Sequence, residues 1–150
     1  MSKPTIEETI AFIKSAHAGQ FDKGGIEYWK HPVSVMERLG PDASADCKLV
    51  ALLHDIIEDT NYGPDDLRVL GYSEIVVSSV QRLSKPSGVD YPAYIKELVR
   101  SGDRIAMLVK RADNIDNLDP SRLALLPPEH RAGNDKYRRS IEILTAALEP

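Results

Sequence analysis

The chain has one cysteine, one tryptophan, few aromatics (6%) and no surplus of positive charge. Each scarcity excludes something. A lone Cys47 cannot close an internal disulfide, so a reducing, cytoplasmic setting is expected. A net charge of −4 argues against general nucleic-acid binding, which goes with a basic excess. No apolar run approaches the length of a membrane span, and Met1 to Glu8 carries no apolar signal core. Alternating apolar and polar runs are missing too, so no strand is expected. Repeats and low-complexity tracts are absent. At 150 residues, with 42% hydrophobic and 28% charged, the chain reads as one globular domain, residues 1–150.

What is present is helical periodicity. Thr5-Ile6-Glu7-Glu8 reads as a capping box, followed by Ile6, Ile10, Ile13 and His17 on one stripe. His17 on that stripe reads as a hydrogen-bonded core histidine. Gly19 ends the helix, and residues 20–30 form a loop tipped by Gly24-Gly25 and anchored by Tyr28-Trp29. Pro32 opens a second helix, which Gly40-Pro41 ends. A third is expected from Asp42 or Ala43 without interruption to about Asp59. Further helices are expected over 65–70, 73–83, 91–100 and 103–118. Pro120, Pro127 and Pro128 break the pattern before a last helix from about Asn134, with Tyr137, Ile141, Leu144 and Leu148 on its inner face. The fold class is all-α, a single multi-helix domain.

The chemistry concentrates in Leu52-Leu53-His54-Asp55-Ile56-Ile57-Glu58-Asp59. Four proton-transferring or metal-capable side chains sit among large aliphatics. Burying them is costly unless the charges are paired or bound to a cation. Ligands from separate helices can converge on one site. His31 at a helix start, the His54-Asp55 pair and Asp113 in Val109-Lys110-Arg111-Ala112-Asp113-Asn114 are the candidates. Two imidazoles and two carboxylates suit manganese, iron or zinc, with magnesium a further divalent candidate. Glu58 and Asp59 are placed to orient a water or pass its proton. No serine or cysteine nucleophile motif is present, so water is expected to attack a phosphoester or pyrophosphate directly. Asp116, three residues after Asp113, is a spare ligand candidate but is expected at the surface.

These pieces resemble the HD superfamily of metal-dependent phosphohydrolases. The nearer likeness is to the hydrolase domain of the Rel/Spo stringent-response enzymes and the small alarmone hydrolases. The matching segments are His17-Ala18-Gly19-Gln20, Lys23-Gly24 through Tyr28, His31-Pro32, Ala51 through Asp55 with Glu58-Asp59-Thr60, then Lys110, Ala112-Asp113 and Asn117-Leu118. The resemblance implies a metal, usually manganese, held by His31, His54, Asp55 and Asp113. It implies Glu58 and Asp59 as catalytic carboxylates, with Lys23 and Asn117 approaching a nucleotide. The implied reaction removes the 3′-pyrophosphate from guanosine tetra- or pentaphosphate. Lys110 and Arg111 are further cations expected to meet phosphate, with Lys85 behind them. The expected partner is thus a small phosphorylated nucleotide, with no membrane; the oligomeric state is left open.

The chain departs from the family pattern at Asp22, where an arginine is common, and at Arg111, Asn114 and Asp116. Those departures open a second reading, an HD-type phosphatase for another nucleotide or phosphoester. A third is a non-catalytic, metal-stabilised sensor module.

Overall fold

A computed structural model describes residues 2–126 and 134–149. Among them ten helices follow one another: α1 (Ile6–Ala16), α2 (Lys30–Arg38), α3 (Ala45–Leu53), α4 (Ile56–Asp59), α5 (Pro64–Val69), α6 (Glu74–Leu83), α7 (Tyr91–Ser101), α8 (Arg104–Asn117), α9 (Pro120–Leu123) and α10 (Asp135–Leu148). The described residues contain no β-strand, in line with the all-α expectation. No helix among them is long and apolar enough to cross a membrane. Pro127 and Pro128, expected to break the pattern, lie outside the described residues.

Capping side chains set the helix starts. Thr5 Oγ1 accepts from the Glu8 N–H and the Glu8 carboxylate accepts from the Thr5 N–H, closing the predicted box. Ser44, Ser73, Asp90 and Asp103 each accept a backbone N–H at the starts of α3, α6, α7 and α8. Gly102 separates α7 from α8 with φ +72°, a left-handed turn that a side chain would strain.

The third expected helix is not continuous. It starts at Ala45, because Ser44 caps it, and it stops at Leu53. The His54 ring explains the stop. Its Nδ1–H donates to the Ala51 carbonyl at 2.6 Å, the acceptor that a continuing helix would offer to the Asp55 N–H. Asp55 leaves helical geometry at φ −103°, ψ 2°, and α4 begins afresh at Ile56. Glu58 and Asp59 therefore do not follow His54 and Asp55 as successive turns of one helix.

Helix α8 runs through the middle of the molecule and packs against α2, α3, α6, α7, α9 and α10. The core around it is aliphatic: Ile13, Val35, Leu52, Val77, Ile95 and Leu144 are fully buried. Leu52→Ala is expected to lower the unfolding free energy by about 2–5 kcal/mol through lost burial and the cavity left behind, read by urea denaturation. Cys47 of α3 is buried, and loss of water around it, with the Asp103 charge, pushes its thiol up to about 11. We expect Cys47 to resist a maleimide at neutral pH in the folded chain and to react once denaturant is added; fast labelling of the native protein would contradict its burial.

Candidate metal centre

Three helical segments bring the ligand candidates together. His31 lies in the first turn of α2, His54 and Asp55 form the turn between α3 and α4, and Asp113 lies on α8. His31, His54 and Asp113 each offer one ligand atom, and these three atoms lie within 4.8 Å of one another. His31 Nε2 is 2.7 Å from Asp113 Oδ1. His54 Nε2 is 3.0 Å from Asp55 Oδ2 and 3.5 Å from Asp113 Oδ1. Asp55 Oδ2 also accepts the Tyr28 hydroxyl.

The chemistry of this cluster suits a divalent cation. Because Nδ1 of His54 donates to Ala51, its lone pair sits on Nε2 in the neutral ring. That Nε2 is buried and makes no hydrogen bond, although two carboxylate oxygens face it. A lone pair facing carboxylates is tenable only with a positive centre between them, a proton or a metal ion. Burial opposes charge on both imidazoles, yet Asp55 and Asp113 outweigh it and raise the pKa of His54, as Asp113 and Asp116 do for His31. Burial likewise opposes charge on Asp113, but Lys110 and the two imidazoles hold it well below the usual carboxylate range. The mixed nitrogen and oxygen donors fit a borderline or hard divalent ion.

Beside the cluster opens a cleft of about 440 Å³, lined among others by Asp55, Glu58, Asp59 and Asp113. Glu58 and Asp59 stand exposed at its rim on α4. Glu58 Oε1 accepts the Lys85 backbone N–H, which fixes that carboxylate against the loop after α6. Loss of water around each carboxyl raises its pKa above the ordinary value, and the Asp55 charge adds to the effect. His17 is buried, as expected, and its Nδ1–H donates to Gln20 Oε1 at 2.9 Å. Gln20 Nε2 in turn donates to the Asp59 carbonyl at 2.8 Å, tying the loop after α1 to α4.

The residues expected to meet substrate separate into different places. Lys23 is exposed on the cleft wall, and Asn117 lines the cleft with its amide 3.4 Å from Asp113 Oδ1. Lys110 also reaches the cleft, but it is buried and its ammonium bonds Asp113 Oδ2 at 2.9 Å. Two expected cations are elsewhere. Arg111 borders a separate groove with Arg38, Leu108 and Ile115. The Lys85 ammonium bonds the Val89 carbonyl at 2.7 Å, and its backbone alone meets Glu58. Helical phase accounts for the Arg111 result, since it is one position out of register with the Lys110–Asp113 stripe.

Asp116 is not at the surface. It is 2% exposed and accepts from His31 Nδ1 at 2.6 Å, Ser34 Oγ at 2.5 Å, Arg38 Nε at 2.8 Å and Arg122 Nη1 at 2.9 Å. Its position three residues after Asp113 was the available signal, because i and i+3 share a helix face. Arg122 on α9 lines the cleft and was not anticipated; nothing local in Pro120-Ser121-Arg122-Leu123 marks it. Asp22 has a structural use: Oδ1 accepts the Gly24 and Ile26 N–H groups, closing the loop, while Oδ2 lies 3.5 Å from Arg122 Nη2. Asn114 Oδ1 accepts the Tyr91 hydroxyl at 2.7 Å.

No family model matches the chain. It is 30% identical over 148 residues to a GTP pyrophosphokinase of Streptomyces coelicolor, aligning 92% of this chain and 17% of that protein. It is 29% identical over 122 residues to the guanosine-3′,5′-bis(diphosphate) 3′-pyrophosphohydrolase of Aquifex aeolicus, aligning 75% of this chain and 17% of that protein. The chain thus spans less than a fifth of the length of these curated relatives. A solved structure described as a metazoan ortholog of SpoT that hydrolyses ppGpp matches with a TM-score of 0.76 at 21% identity, over 99% of this chain and 89% of that one. That match establishes a shared fold across nearly the whole chain.

Proposed function

We propose that this chain, an HD-type domain of the Rel/Spo kind, is a metal-dependent phosphohydrolase that removes the 3′-pyrophosphate from guanosine tetra- or pentaphosphate. The observation that carries the proposal is the buried His54 Nε2, without a hydrogen bond, facing Asp55 and Asp113 beside an open cleft. In this reading His31, His54, Asp55 and Asp113 hold one divalent ion, manganese first, with iron, zinc or magnesium as alternatives. When bound, such an ion lowers the pKa of water and polarises a phosphoryl oxygen.

The remaining work falls to the chain. Glu58 and Asp59, whose proton affinities burial raises above the ordinary carboxylate value, orient the attacking water and take its proton. Lys110 holds Asp113 in place and offsets its charge. Lys23, Asn117 and Arg122 offer N–H donors to the phosphate groups. Tyr91 and Tyr137 wall the cleft with apolar ring surface suited to a nucleobase. The water oxygen forms a bond to the phosphorus carried by the ribose 3′-oxygen, the bond from that phosphorus to the 3′-oxygen breaks, and the 3′-oxygen takes up a proton, leaving pyrophosphate with guanosine 5′-diphosphate from the tetraphosphate or guanosine 5′-triphosphate from the pentaphosphate. All of this lies within residues 1–150, taken as one catalytic unit in a cytoplasmic setting.

Incubation with guanosine 3′,5′-bis(diphosphate) and manganese, with products separated by chromatography, tests the proposal. Pyrophosphate release supports it. Asp22, an acid on the cleft wall, motivates the second reading, a phosphatase for a less highly charged nucleotide. Orthophosphate release from another nucleotide, with the alarmone untouched, would favour that reading. A phosphoester panel without any metal-dependent turnover would leave the sensor module.

A further inference from the structure

His31 is clamped at both ring nitrogens by one helix. Asp113 and Asp116 of α8 share a face, and they meet Nε2 at 2.7 Å and Nδ1 at 2.6 Å. Asp116 does not line the cleft, so its role is not contact with substrate. It is braced on the other side. Ser34 and Arg38 hold Oδ1, and Arg122 shares Oδ2 with His31. Two guanidinium groups offset its charge, and four donors fill a carboxylate that water barely reaches.

Arg122 makes the arrangement informative. Its Nη1 lies 2.6 Å from the same His31 Nδ1. A guanidinium only donates, so alone it favours a lone pair on Nδ1 and a proton on Nε2. A carboxylate only accepts, so Asp116 favours the opposite tautomer, with the lone pair on Nε2; Asp113 at Nε2 would draw the proton back there, a pull that a cation shared by Asp113 and the Nε2 lone pair would remove. We infer that Asp116 is a positioning residue, which takes the Nδ1–H of His31 and thereby keeps Nε2 free to bind a divalent cation. Arg122 Nη1 also donates to Asp116 Oδ2 at 2.9 Å, so the guanidinium that faces the ring nitrogen is at the same time a brace of the carboxylate, whose other oxygen Ser34 and Arg38 hold. A ligand histidine whose far nitrogen is fixed this way gains basicity and a single ring orientation.

This inference rests on the metal reading proposed above, and its test separates the two. The full chain is stripped with chelator, then titrated with manganese by calorimetry and with cobalt by visible absorption. Parent, Asp116→Asn, His31→Ala and the double variant are compared. Asp116→Asn is expected to weaken manganese binding about 10–100-fold and to alter the cobalt spectrum. In the His31→Ala background the same change is expected to alter affinity by less than about twofold, because its effect passes through His31. A general structural loss would instead appear in both backgrounds. A parent that binds neither ion overturns this inference together with the proposed function. A parent that binds, with Asp116→Asn unchanged or equally weakened in both backgrounds, overturns the role of Asp116 alone. If Asp116→Asn does not fold, Arg38→Gln at the half-exposed brace serves, with a smaller loss in the same direction supporting the inference and an unchanged constant and spectrum overturning it.

Discussion

Glu58→Gln is expected to lower kcat by about 10²–10⁴-fold while manganese binding stays close to that of the parent. The amide keeps the shape of the side chain and can still accept the Lys85 N–H that fixes Oε1. What it loses is the ability to take a proton. Glu58 lies at the rim, outside the converging group of His31, His54 and Asp113, so the cation proposed there has no direct reason to leave. Steady-state rates at saturating manganese, beside a calorimetric titration of the same preparation, check both halves. Full turnover in this variant would remove Glu58 from the mechanism, and loss of metal would make it a ligand instead.

Asp113→Ala should do the reverse and do it twice. It removes a carboxylate that two imidazoles face, so metal and activity are expected to disappear together. It also strands Lys110. Lys110 is 7% exposed, and burial alone would lower its pKa; the Asp113 charge outweighs this and raises it well above normal. Breaking a buried pair on one side costs about 3–5 kcal/mol, because the remaining charge has no partner. Urea unfolding in chelator isolates this cost from metal binding. Lys110→Met in the Asp113→Ala background should recover part of the stability and none of the activity. An Asp113→Ala protein as stable in chelator as the parent would mean that Lys110 finds water or another acceptor.

Much of the scaffold was legible in the residues because it depends on local chemistry. Thr5 caps α1 as its capping box predicts, and the helices expected over 73–83, 91–100 and 103–118 start where Ser73, Asp90 and Asp103 cap them, with Gly102 breaking α7 from α8 for a reason confined to its own backbone. The four clustered groups were legible as types: acids and imidazoles next to Leu52, Leu53 and Ile56 need a cation or each other. What escaped was the part set by which way a side chain turns and by partners on other helices. The stop at His54 arises from a ring bonding back onto Ala51, which helical periodicity does not encode. Asp116 read as a surface acid because three of its four donors come from α2, about eighty residues earlier, and the fourth from the short helix α9. Lys110 and Arg111 looked equivalent in sequence. One step of helical phase puts the first on Asp113 and the second on another groove.

The proposed turnover depends on one divalent ion held where α2, α8 and the α3–α4 turn meet. Calorimetric titration of chelator-stripped protein with manganese, parent against His54→Ala, addresses this most directly. One ion per chain in the parent, with binding lost in His54→Ala, is the predicted result. An ion bound equally well without His54, or no ion bound by the parent, would contradict it.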